Sequence, residues 1–165
     1  MKQLFLKYLL VVALCVCTAS ILFAGTAHAA PTQAANPAIS CPGQTLGLGY
    51  VWNEGNVNYW TACSGRQLKL TFQSDNNFVL YCNSSAIWAT GTNYTSGNYG
   101  YTEFQSGPNG PSGDLEVIAN GWGQVWSSNT GNRGAAHMVL QGDGNLTIRT
   151  GSGAVLWASN TSGRC

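Results

Sequence analysis

The chain has 165 residues, of which only 8% are charged and 11% aromatic, with 21 glycines and a formal net charge of +1. This composition excludes a disordered chain and a nucleic-acid-binding one, because there is neither a charge excess to keep it unfolded nor a basic patch to meet phosphate. One folded domain is expected.

The chain opens with Met1-Lys2-Gln3-Leu4-Phe5-Leu6-Lys7, continues as an apolar run from Tyr8 to Ala24, and reaches Ala27-His28-Ala29. A basic start, an apolar middle and an A-x-A ending predict a secretory signal over residues 1–29, cut after Ala29. A membrane anchor is the rival, since the apolar run approaches the shortest length that spans a bilayer. The A-x-A ending favours the signal, so the mature protein is expected to be secreted, extracellular or periplasmic, with no membrane insertion. Residues 30–40, which include PTQAANPA, have no periodicity and are expected to be a flexible lead-in to a domain over residues 41–165. Signal removal leaves five basic residues (Arg66, Lys69, Arg133, Arg149, Arg164) against six acidic ones (Glu54, Asp75, Glu103, Asp114, Glu116, Asp143). Binding is therefore not expected to depend on long-range steering by charge.

Cys15 and Cys17 leave with the signal, and Cys41, Cys63, Cys82 and Cys165 remain. An even number in an exported chain reads as two disulfides, for which three pairings exist. A zinc site is the alternative, but there is no C-x-x-C spacing and His137 is the only histidine beyond the signal. No metal or cofactor is expected.

From Cys41 onward, short apolar runs alternate with Gly, Asn and Ser clusters, the pattern of an all-β domain. Gln44 to Trp52 reads as a first strand region, ended by Glu54-Gly55-Asn56. Cys63-Ser64-Gly65 marks another turn. Leu68, Leu70 and Phe72 share one strand face, and a turn at Asp75-Asn76 would set Phe78 and Leu80 against them across a hairpin. Asn93 to Gly113 reads as a loop with an irregular strand near Tyr101 to Gln105. Two further strand pairs follow, at Asp114 to Ile118 with Gln124 to Trp126, and at Met138 to Arg149 with a turn at Gln141-Gly142-Asp143-Gly144-Asn145.

Three copies of one phrase organise these strands: Trp88-Ala89-Thr90-Gly91-Thr92, Trp126-Ser127-Ser128-Asn129-Thr130 and Trp157-Ala158-Ser159-Asn160-Thr161. Three short β units cannot each bury a face alone, so they are expected to close around a shared axis where Trp88, Trp126 and Trp157 meet. Before the first phrase lies Gln73 to Tyr81, QSDNNFVLY. Alternation gathers Gln73, Asp75, Asn77, Val79 and Tyr81 on one side and leaves Phe78 and Leu80 for the core. A carboxylate, two amides and a phenol beside a branched alkyl group suit a polyhydroxylated ring, whose hydroxyls need partners and whose C–H face needs a dry contact. Structurally, the same stretch is also an ordinary hairpin.

At these residues the chain resembles the monocot mannose-binding lectins, also called bulb-type or snowdrop-type, whose mark is Q-x-D-x-N-x-V-x-Y. Gln73, Asp75, Asn77, Val79 and Tyr81 match it completely, and the three tryptophan phrases match the family's repeat ending. The resemblance covers about Cys41 to Cys165 and implies a β-prism of three four-stranded antiparallel sheets with pseudo-threefold symmetry. It also implies mannose or mannose-containing glycans as partners, without metal. Asp75 and Asn77 would hold the axial 2-hydroxyl, Gln73 the 3-hydroxyl and Tyr81 the 4-hydroxyl, with Val79 touching ring carbons.

The third unit keeps Gln141, Asp143 and Asn145 but has Thr147 for the valine and Arg149 for the tyrosine, so it is expected to be a second, weaker site. In the second unit Asp114, Glu116 and Ile118 replace the asparagine, valine and tyrosine, and no mannose site is expected there. The family's disulfide does not carry over, because Cys82 follows Tyr81 instead of lying inside the motif. We expect Cys63 to pair with Cys82, pinning the hairpin, and Cys41 with Cys165, joining the termini that such a closed fold brings together. Asn83, Asn93, Asn145 and Asn160 begin glycosylation triplets that matter in a eukaryotic source.

Three functions compete. A secreted carbohydrate-binding lectin is favoured, with a homodimer as one way to multiply its site. A bacteriocin-like antimicrobial protein docking on surface polysaccharide is the alternative, though such relatives usually carry two lectin domains. A hydrolase would need a carboxylate pair, Asp114 with Glu116 or Asp75 with Asp143, in a cleft that nothing in the sequence marks.

Overall fold

The computed structural model describes residues 41, 43–95, 99–107 and 112–165. The expected signal and lead-in lie outside the described residues. Among the described residues, twelve strands form three antiparallel four-stranded sheets with one short 3-10 turn, η1 (Asn93–Thr95). This is the β-prism expected from the sequence.

The first sheet has the order β3 (Val57–Thr61), β4 (Gln67–Phe72), β5 (Phe78–Cys82), β6 (Ser85–Ala89). The second runs β2 (Tyr50–Asn53), β7 (Gly100–Phe104), β8 (Leu115–Ala119), β9 (Gly123–Ser127), and the third β1 (Gln44–Gly47), β10 (Ala135–Leu140), β11 (Leu146–Thr150), β12 (Val155–Ala158). The expected hairpin forms with Leu68 opposite Cys82, Leu70 opposite Leu80 and Phe72 opposite Phe78. All six of these side chains are buried.

The stretch Gln44 to Trp52 is not one strand region. It is cut at Leu48-Gly49, where Gly49 takes a φ of 80°, and its halves join different sheets. The three strands β1, β2 and β3 serve the third, second and first sheets in turn, so the N-terminal segment ties the units together. Each strand also sends large side chains inward. Leu46, Trp52 and Trp60 are all buried, and the Trp52 indole donates to Asn58 Oδ1 at 2.6 Å. Trp52 and Trp60 are therefore core residues and not sugar platforms.

The three repeat tryptophans occupy equivalent register positions, opposite Leu80, Val117 and Ile148, each beside a bulge. Their rings meet pairwise edge to face with centroids 5.5 to 5.8 Å apart. They remain half-buried, so they close the shared core together with deeper residues such as Trp52, Phe72, Phe78 and Phe104.

The disulfide pairing differs from expectation. Cys41 joins Cys63, and Cys82 joins Cys165, in place of Cys63–Cys82 and Cys41–Cys165. The reason is inter-sheet packing that hairpin logic does not see. The Cys63 N–H donates to the Gly142 carbonyl at 2.7 Å, and β1 pairs with β10, so the third unit's turn draws Cys41 and Cys63 together. Gly142 leaves room for that bridge, since a Cβ there would stand 2.5 Å from the Cys41 Cβ and 3.1 Å from the Cys63 Sγ. Cys82 points into the core side of β5 and meets the C-terminus instead.

Candidate functional site

The motif Gln73 to Tyr81 is a turn followed by a strand, not nine extended residues. The Gln73 N–H donates to the Asn77 carbonyl at 2.9 Å, and Asn76 adopts a φ of 64°, which reverses the chain between β4 and β5. An asparagine tolerates this left-handed conformation better than most residues. Asp75 caps the turn, its Oδ1 accepting the Asn77 N–H at 3.0 Å.

The turn recurs in the third unit, where the Gln141 N–H donates to the Asn145 carbonyl, and a clamp on the residue that starts the next strand recurs in all three units and explains the repeated phrase. Asn77 Oδ1 accepts from Thr90 Oγ1 (3.1 Å) and Gly91 N–H (2.9 Å). Asn145 Oδ1 accepts from Ser159 Oγ (3.0 Å) and Thr161 N–H (3.2 Å), and Asp114 Oδ1 from Ser128 Oγ (2.7 Å) and Thr130 N–H (3.0 Å). Those hydroxyls in turn accept the N–H groups of Phe78, Leu115 and Leu146 at 3.0 Å. The S/T-x-T that follows each Trp-Ala or Trp-Ser dipeptide is thus a clamp at the start of the next strand. Between the clamp residues Gly91, Asn129 and Asn160 all have positive φ.

The outward groups of the three units differ. In the first, Gln73 Nε2 donates to the Tyr81 hydroxyl at 2.9 Å, spanning the buried pair Thr71 and Val79. That bond leaves the Tyr81 proton, the Gln73 carbonyl, Asp75 Oδ2 and Asn77 Nδ2 for another partner. Val79 is only 2% exposed, a floor more than a wall. Lys69, opposite Tyr81 on β4, places its ammonium 4.3 Å from the Tyr81 ring centroid and steadies the phenol. The structure thus sets Gln73 against Tyr81 and Asp75 against Asn77, with Val79 between the two pairs on β5.

In the third unit both oxygens of Asp143 are engaged, Oδ1 by the Asn145 N–H at 2.9 Å and Oδ2 by Ser162 Oγ at 2.7 Å. Arg149 folds back, donating from Nε to Thr147 Oγ1 at 3.1 Å and from Nη1 to the Gly153 carbonyl at 3.2 Å. Gln141, Asp143, Asn145, Thr147 and Arg149 are together, but with fewer vacant groups. Asp143 also lines a cavity of about 270 Å³ between Cys63, Gly142 and Cys165.

In the second unit Asp114 accepts hydrogen bonds from Ser127 and Ser128 Oγ and from the Thr130 N–H, as the acceptor of that unit's clamp. Gln105 donates to Glu116 Oε2 at 3.2 Å. Burial pushes the Glu116 carboxyl above its usual range, with Asp114 and Glu103 adding to the effect and the Gln105 hydrogen bond opposing it.

Sequence reasoning missed the clamp, although the triply repeated S/T-x-T was its signal. Trp122, outside the three repeated phrases, is exposed at the β8–β9 turn. Of the glycosylation triplets, Asn145 is buried in its clamp, whereas Asn83, Asn93 and Asn160 are exposed. Among the described residues no cluster of His, Cys, Asp and Glu could hold a metal ion, and no helix is long and apolar enough to cross a membrane.

No protein-family model matches the chain. Its structural neighbours are bulb-type lectins. A monomeric monocot mannose-binding lectin from Gastrodia elata is 29% identical, with 72% of this chain and 97% of that one covered and a TM-score of 0.56. The mannose-specific bulb lectin of Scilla campanulata is 28% identical over 71% and 97%, with a TM-score of 0.53. A curated sequence relative, the B-type lectin plumieribetin of Scorpaena plumieri, is 38% identical over 49 residues, and the match spans 30% of this chain and 43% of that relative.

Proposed function

We propose that the protein is a secreted, non-enzymatic lectin that binds mannose or mannose-containing glycans on its first unit without metal. One observation carries the reading: the turn at Gln73 to Asn77 satisfies its own backbone and still leaves a carboxylate oxygen of Asp75, the Gln73 side-chain carbonyl, the Asn77 amino group and a phenol proton unspent. Asp75 Oδ2 would accept from the 2-hydroxyl while Asn77 Nδ2 donates to the same oxygen. Gln73 would meet the 3-hydroxyl, Tyr81 the 4-hydroxyl, and Val79 the ring carbons. A site that pairs an axial 2-hydroxyl leaves its carboxylate and amide unsatisfied with the equatorial epimer, so glucose is rejected.

The third unit is a second and weaker site, because Arg149 stands where the phenol would be and Asp143 is already occupied. Two disulfides agree with export through an oxidising compartment, and the fold is one shared with solved lectins. A glycan array on the protein from Cys41 onward tests the reading. Signal confined to mannose-terminated glycans is expected; binding only to glucose- or galactose-terminated glycans would overturn it.

A further inference from the structure

The corner where the first sheet's turn meets the second sheet carries aromatic rings that the mannose reading does not use. Tyr94 is 62% exposed, Trp122 59% and Tyr99 82%. Single exposed rings are ordinary, but a group of them marks a surface that meets something. The Trp122 ring stands edge-on to Tyr94 with centroids 6.2 Å apart, and the Tyr94 hydroxyl points to the Val125 carbonyl at 3.5 Å. Two residues before Trp122, Asn120 lines a cavity of about 290 Å³ together with Tyr99, Gly100, Tyr101 and Ile118. The Asn120 N–H fastens its rim to the Tyr99 carbonyl at 2.7 Å.

This corner is joined to the first unit's turn. A Cβ on Gly100 would stand 2.6 Å from Asn76 Oδ1, so only glycine lets β7 approach that close. On the other side Asn76 Nδ2 donates to the Thr95 carbonyl at 2.9 Å. The residue between Asp75 and Asn77 is thus tied both to the strand that carries Tyr101 and to the segment that carries Tyr94.

The lining selects the ligand class. Phenol rings and an amide, with no charged side chain in the cavity, do not suit phosphate or carboxylate. They do suit a pyranose, whose C–H face stacks on a ring while its hydroxyls meet amide and phenol groups. The volume lies just under the roughly 300 Å³ at which pockets for drug-sized ligands begin, so it has room for one sugar ring. We infer that this corner is a second saccharide subsite, which takes a neighbouring hexopyranose of the glycan whose mannose sits on the first unit. It rests on the reading of the first unit as the mannose site.

The test uses protein from a host without N-glycosylation, since Asn93 begins a glycosylation triplet beside Tyr94. Trp122→Ala and Tyr99→Ala alter exposed side chains, so both should fold. Titrated with methyl mannoside, each variant should match the parent within about twofold, whereas a linear mannopentaose should bind about tenfold more weakly. Unchanged mannopentaose affinity in both variants would overturn the subsite. So would sedimentation showing a parent dimer that Trp122→Ala turns into a monomer, since the rings would then belong to a second copy. If Asp75→Ala still binds mannopentaose while Trp122→Ala does not, the subsite stands and the first-unit reading fails.

Discussion

The first and third units build one turn and use it for different ends. Gln73-Ser74-Asp75-Asn76-Asn77 and Gln141-Gly142-Asp143-Gly144-Asn145 share the same backbone closure, the same aspartate cap and the same clamp from the following S/T-x-T. Around the third turn, however, the chain has gathered both disulfides. A Cβ on Gly142 would meet Cys41 and Cys63, and one on Gly144 would come within 3.2 Å of the Cys165 Cβ. The first turn has Ser74 and Asn76 at those two positions and packs against β7 instead. The difference teaches that a repeat can keep its fold signature while its outward chemistry is given over to anchoring the chain ends.

The largest expected effect tests the anchoring role. Cys82–Cys165 closes a separation of 83 residues and Cys41–Cys63 one of 22. On chain-entropy grounds, opening the longer loop through Cys165→Ser with Cys82→Ser should cost about 4 to 5 kcal/mol, and opening the shorter about 3. Chemical denaturation of the two double variants checks both the pairing and the order. Equal losses would remove the distinction.

Next comes the scaffold common to all units. Trp126→Ala deletes a ring that touches Trp88 and Trp157 in the one unit that has lost the sugar motif, and should destabilise the domain by about 3 kcal/mol. Thermal melting of that variant should show a clear fall, whereas a normal melt would mean that the units do not depend on the trio. A smaller effect would sharpen the contrast between first and third units. Thr147→Val with Arg149→Tyr restores the motif in the third, and should strengthen its mannose binding about tenfold. Calorimetric stoichiometry should then approach two.

The smallest effect concerns Glu116, where the second unit holds a carboxyl at the valine position. Its folded pKa is raised by burial, so the folded state holds that proton more tightly than the unfolded chain does. Stability should therefore fall as pH rises from the ordinary carboxylate range through the raised value. Glu116→Gln should flatten that part of a pH–stability profile and keep an acceptor for Gln105. A profile unchanged by the substitution would show that Glu116 is not its source.

The sequence made much of this legible because period and alternation are local signals. Leu68, Leu70 and Phe72 announced one face, and QSDNN announced the turn. The three tryptophan phrases announced threefold closure. The parts that were not legible depend on contacts between units. Nothing around Gln44 to Trp52 reveals that its halves enter different sheets, because both halves look like the same half-buried strand. The cysteine pairing is illegible for a related reason: the hairpin pattern is local to one unit, whereas the bridges follow the packing of the third turn on the first sheet. The role of Thr90, Ser128 and Ser159 as clamps could have been inferred from their recurrence, but a hydroxyl in a repeat does not name its partner.

Titration of folded Asp75→Ala and Asp143→Ala with mannose tests the central claim most directly. Asp75 keeps one oxygen uncommitted, whereas both oxygens of Asp143 are engaged within the chain. The parent should bind the monosaccharide at around millimolar strength, as an open site with few ligand atoms allows. Asp75→Ala should lose that binding while its melting stays close to the parent, and Asp143→Ala should retain most of it. Binding that survives Asp75→Ala and vanishes with Asp143→Ala would place the working site in the third unit and contradict the account.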